Sequence, residues 1–163
     1  MVRAIMHGCN GKMGQVIAGL IKNDAAIELV AGVDPYTGVE NPFPVFKSIQ
    51  ECDVEADVII DFAAAAAVDG LLDYCVAKKV PCVLCTTGLS EEQLKKVEEA
   101  SKEVAILKSA NMSLGINTLL KLLKDAAAVL APAGFDIEIV ENKVLFYNQN
   151  INFPYTPFFQ TKS

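Results

Sequence analysis

Short runs of aliphatic and β-branched residues alternate along this chain with longer stretches whose apolar positions recur every three or four residues. Val2–Met6 is an apolar run that ends in a glycine-rich turn, the pattern of a first strand. Met13, Val16, Ile17, Leu20 and Ile21 then fall at i, i+3, i+4, i+7 and i+8, which lines one face of a helix. Further strands are predicted at Ile27–Val33, Asp57–Phe62, Pro81–Cys85, Val104–Leu107 and Asp136–Val140. Helices are predicted over the Ala- and Leu-rich Ala63–Ala77 and over Leu114–Leu130, the strongest helical pattern in the chain. Ser90-Glu91-Glu92-Gln93 is a capping box that starts another helix before Leu94 and Val97. Pro35–Glu51 holds three prolines and is predicted to be a loop with at most a short helix. Strands alternating with helices imply βαβ units, hence an α/β fold with a doubly wound parallel sheet and helices on both faces. The near-continuous apolar runs of the central strands fit a sheet covered on both sides.

The composition narrows this picture. In 163 residues, 52% are hydrophobic and 21% charged, enough for a real core and too apolar for disorder. No apolar run is long enough for a membrane span, and Met1–Met6 leads into turn residues rather than a signal sequence. A net charge of −6 argues against a nucleic-acid partner, which wants a basic face. Five cysteines (Cys9, Cys52, Cys75, Cys82 and Cys85) at irregular spacing make no disulfide framework, so a reducing cytoplasm is expected. The last stretch, Asn142–Ser163, breaks the pattern: it has no Asp or Glu, and holds six of the chain's twelve Phe and Tyr residues. Neither helical nor strand periodicity persists there.

Candidate chemistry gathers after the strands. Gly8-Cys9-Asn10-Gly11-Lys12-Met13-Gly14 lies between the first strand and first helix. Glycines there permit a tight turn and let backbone N–H groups approach a pyrophosphate resting on the positive end of the helix. The spacing is Gly-x-x-Gly-x-x-Gly rather than the commoner Gly-x-Gly-x-x-Gly, and a turn that merely packs helix on strand is the alternative. Asp34 ends the second strand twenty positions after Gly14, where an acidic residue would accept hydrogen bonds from an adenosine ribose. Pro35, Tyr36 and Thr37 follow it with no cation, which leans towards NADH, although Lys12 could supply charge. The alternative for Asp34 is a turn residue before proline.

Thr86-Thr87-Gly88 and Ser109-Ala110-Asn111-Met112-Ser113 each follow a strand, where doubly wound sheets bind ligands. Their hydroxyls, amides and N–H groups could hold a nicotinamide carboxamide, or could simply cap helices. Cys82 and Cys85 have a redox spacing, but they lie within an apolar strand and read as core. His7, the only histidine, reads as a turn residue, with a place beside a cofactor as the alternative. The five alanines Ala63–Ala67 read as a small-residue helix start packed close to the sheet.

At these motifs the chain resembles the dihydrodipicolinate reductases (4-hydroxy-tetrahydrodipicolinate reductases) of bacterial lysine and diaminopimelate synthesis. The match includes His7–Gly14, Asp61-Phe62, Cys85–Ser90, Ser109–Asn117 and Gly134–Glu141, and covers residues 1–141. The resemblance implies a Rossmann-like domain that binds NADH or NADPH. It implies cofactor contacts from Gly8, Cys9, Asn10, Gly11, Lys12, Met13, Gly14, Asp34, Cys85, Thr86, Thr87, Ser109, Ala110, Asn111 and Met112.

Two departures shape the functional expectation. After Asp61-Phe62 the family has Ser or Thr and a Pro-containing helix start, whereas this chain has Ala63–Ala67. After Glu141 the family continues with His-His-x-x-Lys and Asp-Ala-Pro-Ser-Gly-Thr, which serve the cyclic dicarboxylate substrate and open the tetramerisation domain. This chain reads Asn142-Lys143-Val144-Leu145 instead. The expectation is therefore a dinucleotide-binding domain over 1–141 and an atypical, frameshifted or unrelated tail over 142–163. Cofactor binding is retained, the substrate domain and homotetramer are lost, and little or no reductase activity remains. The competing readings are a non-catalytic or regulatory dinucleotide-binding module and a bare structural fragment with exposed apolar surface.

Overall fold

The computed structural model describes residues 1–109 and 111–137. The chain divides into two compact units, Met1–Leu120 and Lys121–Ser163. Strands β1 (Val2–His7), β2 (Ile27–Val33), β3 (Val45–Phe46), β4 (Val58–Asp61), β5 (Cys82–Leu84) and β6 (Ile106–Lys108) form one sheet in the order β3-β2-β1-β4-β5-β6. Every pairing is parallel. The helices are α1 (Lys12–Ile21), α2 (Val68–Lys78), α3 (Glu91–Ser101) and α4 (Leu114–Leu130). The chain first winds outward from β1 to β3, then crosses back to β4 and winds the other way to β6. The strand order reverses between β1 and β4, and that boundary opens a crevice at their carboxyl ends.

The core lies mainly between the sheet and α2 with α3. Ile5, Ile59, Leu71, Leu72, Cys75 and Leu84 are wholly buried and form one cluster with Val97 and Ala100. Each large aliphatic side chain sealed this way contributes about 1.5 to 3 kcal/mol. The predicted capping box starts α3: the Ser90 hydroxyl accepts from the Gln93 N–H, and the Gln93 side chain accepts from the Ser90 N–H.

The structure corrects several sequence expectations. Pro35–Glu51 contains the short edge strand β3 as well as a 3-10 turn at Ile49–Glu51. Two residues are too few to show periodicity. The predicted strand Asp136–Val140 begins with Asp136 and Ile137 outside any strand, and the rest of it lies outside the described residues. Ala63–Ala77 is not helical from its start: Ala64 is extended, Ala65–Ala67 is a 3-10 turn and α2 begins at Val68. The apolar stripe of α1 forms as predicted but remains half open, with Val16 50% and Leu20 69% exposed. In α4 no residue is buried. The boundary after Glu141 and the aromatic stretch 142–163 lie outside the described residues.

Candidate active site: the crevice at the carboxyl ends of the strands

The glycine-rich loop is shaped by close backbone approach. Gly8 has φ +81°, and a Cβ there would stand 2.8 Å from the Phe62 carbonyl oxygen. Gly14 is buried in the first turn of α1, where a Cβ would stand 2.2 Å from the Gly8 carbonyl oxygen. The loop's own N–H groups are largely engaged inward. Gly8 N–H donates to Val33 O at 2.8 Å, Asn10 N–H to Asp34 Oδ2 at 3.0 Å and Gly11 N–H to Gly8 O at 3.2 Å. The start of α1 is different. Its N-cap is Gly11, which supplies no side chain, and no acidic residue stands in its first turn. The N–H groups of Lys12, Met13 and Gly14 therefore lack a capping side chain, and the positive helix end faces an open site.

Two cavities flank this helix start. One, of about 510 Å³, is lined by Gly8, Gly11, Asp34, Lys47 and Ser48, and the other, of about 550 Å³, by Met13, Cys85, Thr86, Thr87, Asn111 and Met112. Both are bounded by Phe62 and Ala63, the turn that follows β4. At the start of α1, Gly11 lines the first cavity and Met13 the second.

Asp34 serves the loop as well as the cavity. Its Oδ2 accepts from Asn10 N–H and its Oδ1 accepts from Tyr36 N–H at 2.9 Å, which leaves one lone pair on each oxygen. The Asn10 side chain donates to Tyr36 O and accepts from Asn41 Nδ2 at 2.8 Å. Under the crevice lies a buried polar group. Asp61 Oδ1 stands 2.6 Å from His7 Nδ1, and Asp61 Oδ2 stands 2.6 Å from Thr86 Oγ1.

Residues 2–112 match the family model for dihydrodipicolinate reductase, N-terminus. The chain belongs to the dihydrodipicolinate reductase family. It is 56% identical over 141 residues to a 4-hydroxy-tetrahydrodipicolinate reductase of Caldanaerobacter subterraneus subsp. tengcongensis, covering 86% of this chain and 55% of that protein. It is 47% identical over 154 residues to the Clostridium tetani protein of the same name, covering 94% and 59% of the two. Among solved structures, it resembles a dipicolinate-bound dihydrodipicolinate reductase from Paenisporosarcina sp. TG-14 with a TM-score of 0.70 and 26% identity, covering 79% of this chain and 54% of that one. The chain thus spans less than three-fifths of the length of these reductases.

Within this dihydrodipicolinate reductase domain, the crevice brings together most of the residues singled out in the sequence. Gly8, Gly11 and Asp34 line one cavity, and Met13, Cys85, Thr86, Thr87, Asn111 and Met112 line the other. Lys12 is exposed at the helix start. Cys9 is wholly buried, and its Sγ packs where a Cβ on Gly32 would stand 2.6 Å away. Burial pushes its thiol up to about 11, with the nearby Asp34 carboxylate adding to the shift. Ser109 donates from Oγ to Asn111 O at 3.1 Å, and Ala110 lies outside the described residues. The capping alternative holds at Ser113, whose hydroxyl accepts from Ile116 N–H at 3.4 Å. It does not hold at Thr86, whose hydroxyl instead reaches Asp61 and Ala63 O.

The redox alternative for Cys82 and Cys85 fails on burial. Both are free and buried, and the neighbouring Cys75 thiol of α2 together with burial pushes the Cys82 thiol up. Burial also raises the Cys85 thiol, with Asp61 contributing. Sequence reasoning does not find Lys47 and does not join Asp61 to His7. Lys47 shares the cavity with Asp34 although thirteen positions separate them, because β3 pairs beside β2. Asp61 and His7 meet because β1 and β4 are neighbours in register. The Asp61-Phe62 pair was a visible signal for the motif, but only the pairing shows what its carboxylate touches.

Proposed function

We propose that this chain binds a nicotinamide dinucleotide along the crevice and supplies the hydride-donor half of 4-hydroxy-tetrahydrodipicolinate reduction. The observation that carries this reading is the uncapped start of α1 between two cavities at the point where the strand order reverses. The donor set suits a bridging pyrophosphate: first-turn N–H groups of Lys12, Met13 and Gly14, with the Lys12 ammonium beside them and no acidic side chain in that turn. The roles of the remaining residues follow. Gly8, Cys9, Asn10 and Gly11 set the loop that holds this helix start, and Asp34 offers its two free lone pairs to ribose hydroxyls. Cys85, Thr86, Thr87, Asn111 and Met112, which line the second cavity, meet the nicotinamide half, and the family resemblance adds Ser109 and Ala110 to the cofactor contacts.

When bound, the reduced nicotinamide would supply a hydride to the substrate ring. The chain's own part is to fix the ring's position and exclude water from one side of it, for which Phe62, Ala63 and Met112 provide apolar surface at the cavity wall. Lys47 supports acceptance of NADPH as well as NADH. It lines the cavity with Asp34 and makes no ion pair among the described residues, so its ammonium is available to a 2′-phosphate. The dicarboxylate-binding and proton-donating groups implied by the family motif after Glu141 have no counterpart in Asn142–Leu145. Turnover by this chain alone is therefore expected to be absent or slight. Fluorescence titration with NADH and a turnover assay with authentic substrate test both parts. Saturable binding without turnover is expected, and turnover near that of a full-length reductase would refute the second part.

A further inference from the structure

We propose that His7 is a positioning residue: acting through Asp61 and Thr86, it sets the affinity for the nicotinamide half of the coenzyme without touching it. This rests on the reading that the crevice takes a dinucleotide. The three side chains come from three adjacent strand ends. His7 closes β1, Asp61 closes β4 and Thr86 follows β5, with His7 paired to Asp61 and Asp61 to Leu84 in the sheet register. Because β4 lies between β1 and β5, one carboxylate can address both neighbours. Its Oδ1 accepts from His7 Nδ1 at 2.6 Å and from Ala63 N–H at 3.3 Å, and its Oδ2 lies 2.6 Å from Thr86 Oγ1. The Thr86 hydroxyl also lies 2.9 Å from Ala63 O, so its single proton serves two acceptors.

The burial of this group is what asks for an explanation. Asp61 is 0% exposed, and His7 and Thr86 are each 5% exposed. A carboxylate with no exposed surface carries a large desolvation cost, and packing alone would be served by an apolar side chain. What Asp61 adds is a connection across the β1–β4 boundary. It ties the wall of the Asp34 cavity, which His7 lines, to Thr86, which lines the other cavity. The Phe62–Ala63 turn shared by both cavities is held by the same group, with Phe62 N–H donating to His7 O at 3.0 Å and Ala63 bonded through N–H and carbonyl. Removing the His7 donor leaves Asp61 Oδ1 under-satisfied beneath that turn and frees it to move away from Thr86.

The test compares affinities for NADH and for ADP-ribose, which lacks the nicotinamide, in the full 163-residue chain. His7→Ala and Thr86→Val are each expected to weaken NADH about 10-fold or more while ADP-ribose weakens less than about 3-fold. His7→Asn, which keeps an N–H donor near the position of Nδ1, is expected to recover most of the NADH affinity. The double variant His7→Ala/Thr86→Val is expected to be little weaker than either single one, because both act through one carboxylate. Thr86→Val, close in shape to threonine, keeps the test open if His7→Ala does not fold. Equal losses for both ligands, or no loss for NADH, would overturn the inference while leaving the cofactor reading intact. A wild-type chain that binds neither ligand would overturn both.

Discussion

Adding one methyl group at two glycines of the same helix should move stability in opposite directions. At Gly14 the new methyl would stand 2.2 Å from Gly8 O and 2.7 Å from Cys9 O. Ordinary contact begins near 3.4 Å, and both obstacles are backbone rather than a flexible side-chain end. The loop must therefore retreat by roughly 1 Å, an overpacking strain of about 1 to 3 kcal/mol. Replacing a helical glycine by alanine returns up to about 1 kcal/mol through propensity. With that gain subtracted, the net expectation for Gly14→Ala is destabilisation of up to about 2 kcal/mol. At Gly19, in the same helix, nothing lies within 4 Å of the added methyl. Gly19→Ala should then stabilise by about 0.5 to 1 kcal/mol. Urea unfolding followed by far-UV circular dichroism reads both shifts as changes in midpoint at constant slope. The displaced carbonyls belong to the loop that sets the start of α1, so Gly14→Ala should also weaken NADH at least about tenfold, while Gly19→Ala leaves it unchanged. A Gly14→Ala midpoint at or above that of the wild type would refute the claim that close loop–helix packing requires this glycine.

Other outcomes follow from the same geometry. Lys47→Ala should weaken NADPH about 5- to 10-fold and leave NADH within about twofold, with the NADPH difference shrinking at high salt; equal effects on both would show that Lys47 does not meet a 2′-phosphate. Asp34→Ala removes the acceptor for Asn10 N–H and Tyr36 N–H together, so affinity for both coenzymes should fall about tenfold or more by calorimetry. Cys9 should resist iodoacetamide at pH 8 in the folded chain and react once urea unfolds it, as mass spectrometry would show. Its thiol is held near 11 in the folded state, whereas the unfolded thiol ionises near an ordinary ~8.5. The Cys9 contribution is therefore intact below about pH 8 and is lost as pH rises towards 11, by up to about 3 kcal/mol, because only the unfolded state releases the proton there. A Cys9→Ala chain should show a flatter fall in stability across that range.

Much of this molecule is legible in its sequence because the signals are local. Helical spacing from Met13 to Ile21, the Ser90 capping box and the strand at Ile27–Val33 each depend on side chains within a few residues of one another. The glycine loop and the acidic strand end at Asp34 are likewise short-range patterns, and so are the hydroxyls after β5. At Ala63–Ala67 the helical expectation fails because propensity is a weak prior. Alanine favours helix, but the Ala63 N–H and carbonyl are held by Asp61 and Thr86, and the chain stays extended through Ala64 before it turns.

Local patterning is enough to set the alternation of strand and helix, and with it a parallel sheet whose strand ends carry the chemistry. Which strand ends are neighbours is settled by the assembled sheet. It placed β4 beside β1, bringing the carboxylate of Asp61 to His7 across a separation of 54 residues, and it laid β3 beside β2 so that Lys47 shares a cavity with Asp34. It also turned Cys9 inward against Gly32 and left the α1 stripe half exposed. Hydrophobic periodicity records which face of an element is apolar, whereas pairing order depends on the packing and hydrogen bonding of the whole sheet, which no local window contains.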